Sequence, residues 1–203
     1  MSHQHPGHVH NPQDKLAYCK ESEVTEAFFI EMMNAHSHLT VMKNPAKEKP
    51  KVGIYAPDLW VPGWGLCDLK AQKTPFFSSM SSSCVQPNKA VTFNRKDLER
   101  YDKLYDSIGI FFWVNWLTLT YKKFRPVNYR WGVYFISLDD IKEIINSNVS
   151  GNHTYKDRQE ANANHQLASM GMNREGNATD SWVLSVDWMK PVIASHDNPW
   201  NFQ

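Results

Sequence analysis

From Ile108 to Trp116 the chain reads Ile-Gly-Ile-Phe-Phe-Trp-Val-Asn-Trp, an almost unbroken apolar run. Side chains on a β-strand alternate between its two faces, so a strand that is apolar at nearly every position needs cover on both. This stretch predicts a central strand in a layered α/β fold, with helices to bury its faces. Trp131–Ile136 reads as a second strand and Trp182–Val186 as a last short one. Asn94–Tyr105 reads as a helix with Asn94 as N-cap and Leu98, Tyr101, Leu104 and Tyr105 on one face. Its charges, Arg95, Lys96, Arg100 and Lys103 with Asp97, Glu99 and Asp102, have the mixed signs of a solvated face. Ser137-Leu-Asp-Asp opens a further helix through Ile145. Val85–Val91 reads as loop.

Upstream of the apolar run lies a hairpin that carries charge. Pro62-Gly63 is a strong turn signal, flanked by Leu59, Trp60 and Val61 on one side and Trp64, Leu66 and Cys67 on the other. If the loop is Pro62-Gly63-Trp64, position 58 lies opposite position 68, and Asp58 faces Asp68 across two antiparallel strands, near enough to hold one hard cation. Asp68, Lys70 and Gln72 then project on the same side. The alternative is an ordinary cross-strand surface salt bridge, worth about 0–1 kcal/mol.

Ahead of the hairpin, Ser22–Ala35 reads as a helix with Ser22 as N-cap, apolar nearly all round and so buried on more than one side. Glu26 falls on the stripe of Phe29, Ile30 and Met33, and Glu31 on that of Val24, Ala27 and Phe28. An acid on a buried stripe costs several kcal/mol unless it is paired or beside a metal. Lys43–Lys51 reads as a Pro- and Lys-rich solvated connector, and Val52–Tyr55 as the start of the first core strand.

Pro57-Asp58, a spacer and then Asp68-Leu69-Lys70 resembles the motif of the PD-(D/E)XK nuclease superfamily, which includes restriction endonucleases, Holliday-junction resolvases and phage recombination nucleases. Gln72 extends it in the manner of the E-x-K-x-Q variants, and the similarity covers about residues 20–140. The resemblance implies a restriction-endonuclease-like α/β core, a mixed sheet of about five strands flanked by helices. It implies an Mg²⁺-dependent endonuclease hydrolysing DNA phosphodiester bonds, with Mn²⁺ able to substitute. Asp58, Asp68 and the carbonyl of Leu69 would hold the metal, and Glu26 would join from the preceding helix, with Glu31 as the fallback. Lys70 would stabilise charge or, with its pKa lowered, assist deprotonation of water. Gln72 would orient water or substrate. The other reading is a non-catalytic nucleic-acid-binding or interaction protein that keeps the fold.

The 203 residues, 41% hydrophobic and 13% aromatic, suit one globular domain over 16–203, behind a disordered His-rich tail over 1–15. The tail's histidines lack the fixed geometry of a specific metal site. Residues 147–180 read as a polar loop region. No apolar run approaches the roughly 20 residues of a membrane span, and Cys19, Cys67 and Cys84 lack C-x-x-C spacing, so a reducing, cytoplasmic setting is expected. A net charge of +1 leaves polyanion binding to local patches. Tyr121–Arg130 is such a patch, with Lys122, Lys123, Arg125 and Arg130 for phosphate and interleaved rings for stacking. DNA is the expected partner, and the resemblance is compatible with a homodimer.

Overall fold

The computed structural model describes residues 15–49, 56–154 and 180–193, with side chains from Ser22 onward in the first helix. The expected first strand at Val52–Tyr55, the His-rich segment up to residue 14 and most of the polar region (155–179) lie outside the described residues.

The strands are β1 (Met42–Lys43), β2 (Leu59–Val61), β3 (Gly65–Gln72), β4 (Ala90–Asn94), β5 (Gly109–Asn115), β6 (Trp131–Ser137), β7 (Gly151–Thr154), β8 (Asp180–Ser185) and β9 (Lys190–Ile193). The helices are α1 (Lys15–His36), α2 (Ser79–Ser82), α3 (Arg95–Leu104) and α4 (Leu138–Asn146). A mixed sheet runs in the order β1-β2-β3-β5-β6-β9, and a smaller sheet in the order β4-β8-β7. In the large sheet β3 and β5 are parallel, joined by a crossover that includes α3, and the other pairs are antiparallel.

Among the described residues the main sheet thus has six strands, where about five are expected, because β1 and β9 are short edge strands with little pattern of their own. β9 contains Pro191, which pairs opposite Tyr134 at the sheet edge, where a missing N–H is tolerated. The small sheet is a second departure: β4 begins inside the expected loop 85–91, and β7 lies within the expected polar loop. Both owe their form to pairing with β8, not to alternation in their own sequences.

The apolar run lies at the heart of the molecule. On β5, Ile110, Phe112 and Val114 face a core shared with Val91 and Phe93 of β4, Tyr101 of α3, Ile141 of α4 and Leu184 of β8. Phe111 faces the opposite core, with Phe29 and Met33 of α1, Leu59, Cys67 and Leu69. The large sheet is therefore sandwiched between α1 and a layer made of the small sheet with α3 and α4. Burial also pushes the Cys67 thiol up to about 12, so it is an inert core side chain.

Two helices depart from their predicted form. α1 starts at Lys15, since residues 15–21 contain no breaker, and Ser22 sits within it, its hydroxyl donating to Glu26 Oε1 at 3.3 Å. Only one side of α1 is covered: Phe29, Met32 and Met33 are buried, whereas Val24 is 72% exposed and Glu31 is exposed with it. On α3, Tyr101 is buried and Leu98 and Tyr105 pack against the same core as expected, whereas Leu104 is exposed and Asp97 is buried. Among the described residues no helix is long and apolar enough to cross a membrane.

Candidate functional site

The hairpin fixes the centre of the site. β2 and β3 pair Leu59 with Cys67 and Val61 with Gly65, leaving Pro62-Gly63-Trp64 as the loop. Gly63 and Gly65 have φ of 79° and 82°, a left-handed conformation that glycine adopts without strain. Continued by one residue, this register sets Asp58 opposite Asp68, and the Asp58 Oδ2 accepts the Leu69 N–H at 3.1 Å.

Asn44 anchors the other side of Asp58. Its Nδ2 donates to the Pro57 carbonyl at 2.8 Å, its N–H to the Asp58 carbonyl at 2.9 Å, and its Oδ1 caps the 3-10 turn Pro45–Glu48 by accepting from Ala46 N at 3.0 Å. That turn presents Lys47, whose ammonium contacts Asp58 Oδ1 and lies 2.8 Å from Glu26 Oε1. Glu26 is 6% exposed. The lysine is the counter-ion that makes a buried acid tolerable there. Burial works against the Lys47 ammonium, but Asp58 and Glu26 outweigh it and raise its pKa.

On β3 the side chains of Asp68, Lys70 and Gln72 share one face, turned toward β4 and α3. Lys70 Nζ lies 2.8 Å from Asp68 Oδ2 and 2.6 Å from Asp97 Oδ2, and Arg100 Nη2 binds Asp97 Oδ1 at 2.6 Å. Asn94 Nδ2 adds a weaker donor to Asp97 at 3.3 Å. Gln72 uses both ends of its amide on the Thr92 backbone, donating to the carbonyl at 2.9 Å and accepting from the N–H at 3.4 Å. It ties the two sheets together.

Asp68 is held away from the ordinary carboxylate range. It is 3% exposed. Burial, with the charge of Asp58 added to it, pushes its carboxyl up to about 6 against the opposing pull of Lys70 and of a hydrogen bond from Tyr101. The Lys70 ammonium thus sets a positive charge directly against the buried Asp68 Oδ2. Burial also opposes the Lys70 ammonium, but Asp68, Tyr101 and Asp97 hold its pKa well above the usual lysine value. For Asp97 burial is outweighed by Lys70 and Arg100, and its carboxyl is lowered.

Of the residues predicted from sequence, Asp58, Asp68, Lys70 and Glu26 form two adjoining ion clusters, and Glu31 stands outside both. The sequence reading missed Lys47, Asp97, Arg100 and Asn44. Lys47 sits in a segment whose composition reads as a solvated connector, and Asp97, in the first turn of α3, is indistinguishable from an acid that favours the helix dipole. Among the described residues no three His, Cys, Asp or Glu side chains form a cluster able to hold a metal ion.

The basic residues lie on the β5–β6 connection. Lys122, Lys123 and Arg125 are exposed, whereas Arg130 is half-buried and donates to the Tyr134 hydroxyl at 3.0 Å.

No family model matches the chain, and no curated protein does. Among solved structures it is similar to D212, a nuclease from a fusselovirus, at 10% identity over 94% of this chain and 90% of that one, with a TM-score of 0.35.

Proposed function

We propose that the chain is a metal-dependent deoxyribonuclease of the PD-(D/E)XK type, with Asp58, Asp68 and Lys70 at its centre. The observation that carries this reading is the state of Asp68. A carboxylate that is nearly sealed from water, and pushed up first by burial and then by a second carboxylate even with Lys70 beside it, is a group that a further cation would stabilise. The local charge balance points the same way. Among the described residues Glu26, Asp58, Asp68 and Asp97 are four carboxylates facing the three cations Lys47, Lys70 and Arg100, which leaves one negative charge over. The donors are carboxylate oxygens, the set that suits a hard dication such as Mg²⁺ or Mn²⁺.

Asp58 and Asp68 would hold the ion, with the Leu69 carbonyl available beside them. Such an ion, when bound, activates water and neutralises charge on the phosphoryl oxygens. The chain's own groups do the rest. Lys70, kept as an ammonium by Asp68 and Asp97, stabilises negative charge on a phosphate and does not take a proton from water. Asp97 and Arg100 fix the position of Lys70. Gln72 holds β4 against β3, a positioning role in place of the water-orienting one its motif position implies. Glu26 acts through Lys47, which restrains Asp58. Lys122, Lys123 and Arg125 would engage the phosphodiester backbone, with Arg130 set back toward Tyr134.

One observation favours a second reading, a binding protein with no catalysis: Lys47 and Lys70 already neutralise much of the acid, and the described residues contain no cluster of three metal-ligating side chains. Incubation with plasmid, single-stranded and branched DNA separates the two. The nuclease is expected to cut at least one of these in Mg²⁺ or Mn²⁺ and none in EDTA. Intact DNA in every lane, with binding retained, would leave the non-catalytic reading.

A further inference from the structure

Between Asp106 and Asp139 the sequence contains no acid. Within this span the β5–β6 connection is closed on itself by a hydrogen bond from Val127 N to the Leu119 carbonyl at 2.9 Å, and is fastened to the end of β3 by one from Leu117 N to the Lys73 carbonyl at 2.9 Å. Lys73 lies three residues beyond Lys70, roughly 10 Å along the strand at about 3.3 Å per residue. The loop therefore starts beside the end of the strand that carries Asp68 and Lys70.

Its tip is built around a cluster of three rings. Tyr121 stacks on Phe77 with centroids 5.7 Å apart and on Phe124 at 6.2 Å, the latter pair within 11° of parallel. Phe77 and Phe124 also approach each other at 6.3 Å, and since Phe77 is buried whereas Tyr121 is 44% exposed, the cluster reaches from the core to a part-exposed tyrosine ring. A turn closed by Phe124 N and the Tyr121 carbonyl at 3.0 Å places Lys122 and Lys123 at its corner. Lys122 is held there at φ 46°, a conformation that non-glycine residues rarely adopt, with its ammonium 5.1 Å from the Tyr121 ring centre. Lys122, Lys123 and Arg125 are all exposed on this part of the loop.

We propose that this loop binds an unpaired polynucleotide strand, with one base stacked on Tyr121 and the flanking phosphates on Lys122, Lys123 and Arg125. A duplex presents phosphates but keeps its base faces inside the stack; an exposed ring on a cationic loop can use its face only on a base that is unpaired. The inference deepens the nuclease reading by naming the substrate class: a single strand, or a branched or frayed structure with unpaired nucleotides.

The test is binding of the full-length chain in EDTA to labelled oligothymidylate, oligouridylate and a mixed-sequence duplex, followed by fluorescence anisotropy. Wild type is expected to bind one or both single strands more tightly than the duplex, the two arms telling DNA from RNA. Tyr121→Ala should weaken that binding by about 5- to 150-fold, the range a lost base–aromatic stack gives, and leave the duplex unaffected. Tyr121→Trp should restore it, which a mere folding defect at position 121 would not allow. Single-strand affinity unchanged in Tyr121→Ala, equal losses on single strand and duplex, or no polynucleotide binding at all would overturn the inference. Single-strand binding without cleavage in Mn²⁺ would overturn the nuclease reading and leave this one standing.

Discussion

Asp68→Asn is expected to lose at least about 100-fold in metal-dependent cleavage, the scale on which one charge-stabilising contact acts, and to be more stable than wild type at neutral pH. Both effects come from one carboxylate. The substitution keeps the shape and removes a ligand charge, so the metal would lose a direct partner. It also removes a buried ionisation that the fold resists. The carboxyl of Asp68 is pushed up to about 6, first by burial and then by Asp58. A folded state with a raised acid pKa binds the proton more tightly than the unfolded chain does, so stability is highest with Asp68 protonated and falls as pH rises from about 4 to 6. Asp97 has the opposite sign: its lowered carboxyl contributes stability above the ordinary carboxylate range that is lost only at lower pH. The two windows separate cleanly. Urea unfolding should show Asp68→Asn ahead of wild type by on the order of 1–2 kcal/mol at pH 7.5, with the gap closing near pH 4. Wild-type cutting rates in the variant would mean that Asp68 is not part of any active centre.

The second large effect is on folding. Phe111→Ala is expected to cost about 3–5 kcal/mol, a large share of the roughly 5–15 kcal/mol that holds a domain of this kind together. Phe111 is fully buried at the middle of β5 and is surrounded by rings: Phe135 with centroids 5.3 Å away, Phe29 at 5.6 Å and Trp64 at 6.1 Å, stacked within 6°. These rings come from β6, α1 and the hairpin loop, so one truncation loosens three elements, and rigid aromatic neighbours on several sides collapse poorly into the cavity. Phe111→Leu, which refills most of the space, should cost far less. The denaturant midpoint of both variants gives the comparison, and a loss below about 1 kcal/mol for Phe111→Ala would show that the α1 layer is not packed on the sheet as described.

How far these features can be read from sequence depends on how local their causes are. The central strand is legible because Ile108–Trp116 is apolar on both faces, which only a two-sided core satisfies. The Asp58–Asp68 pairing is legible because a short hairpin loop fixes its own register. Glu26 is legible as an anomaly on a buried stripe, but its partner is not, since Lys47 arrives through an Asn44-capped turn with no periodic signal. Asp97 is hidden for a similar reason: its burial is imposed by the meeting of α3 with β3, and within its own helix it resembles any first-turn acid. The small sheet escapes because β4 and β7 take their strand form from β8. Gln72 shows the remaining gap, between position and role. Strand alternation places it on the right face, and only the tertiary contact with Thr92 shows what its amide does.

The central claim, that Asp58 and Asp68 together hold a divalent cation, is tested most directly by titrating Mn²⁺ calorimetrically into wild type, Asp58→Asn and Asp68→Asn at pH 7.5, where Asp68 is largely ionised. The N-terminal histidines are common to all three proteins, so only the difference between them counts. Saturable binding in wild type that disappears in both variants is the expected result. Identical isotherms in the three proteins, or no saturable binding in wild type, would contradict it.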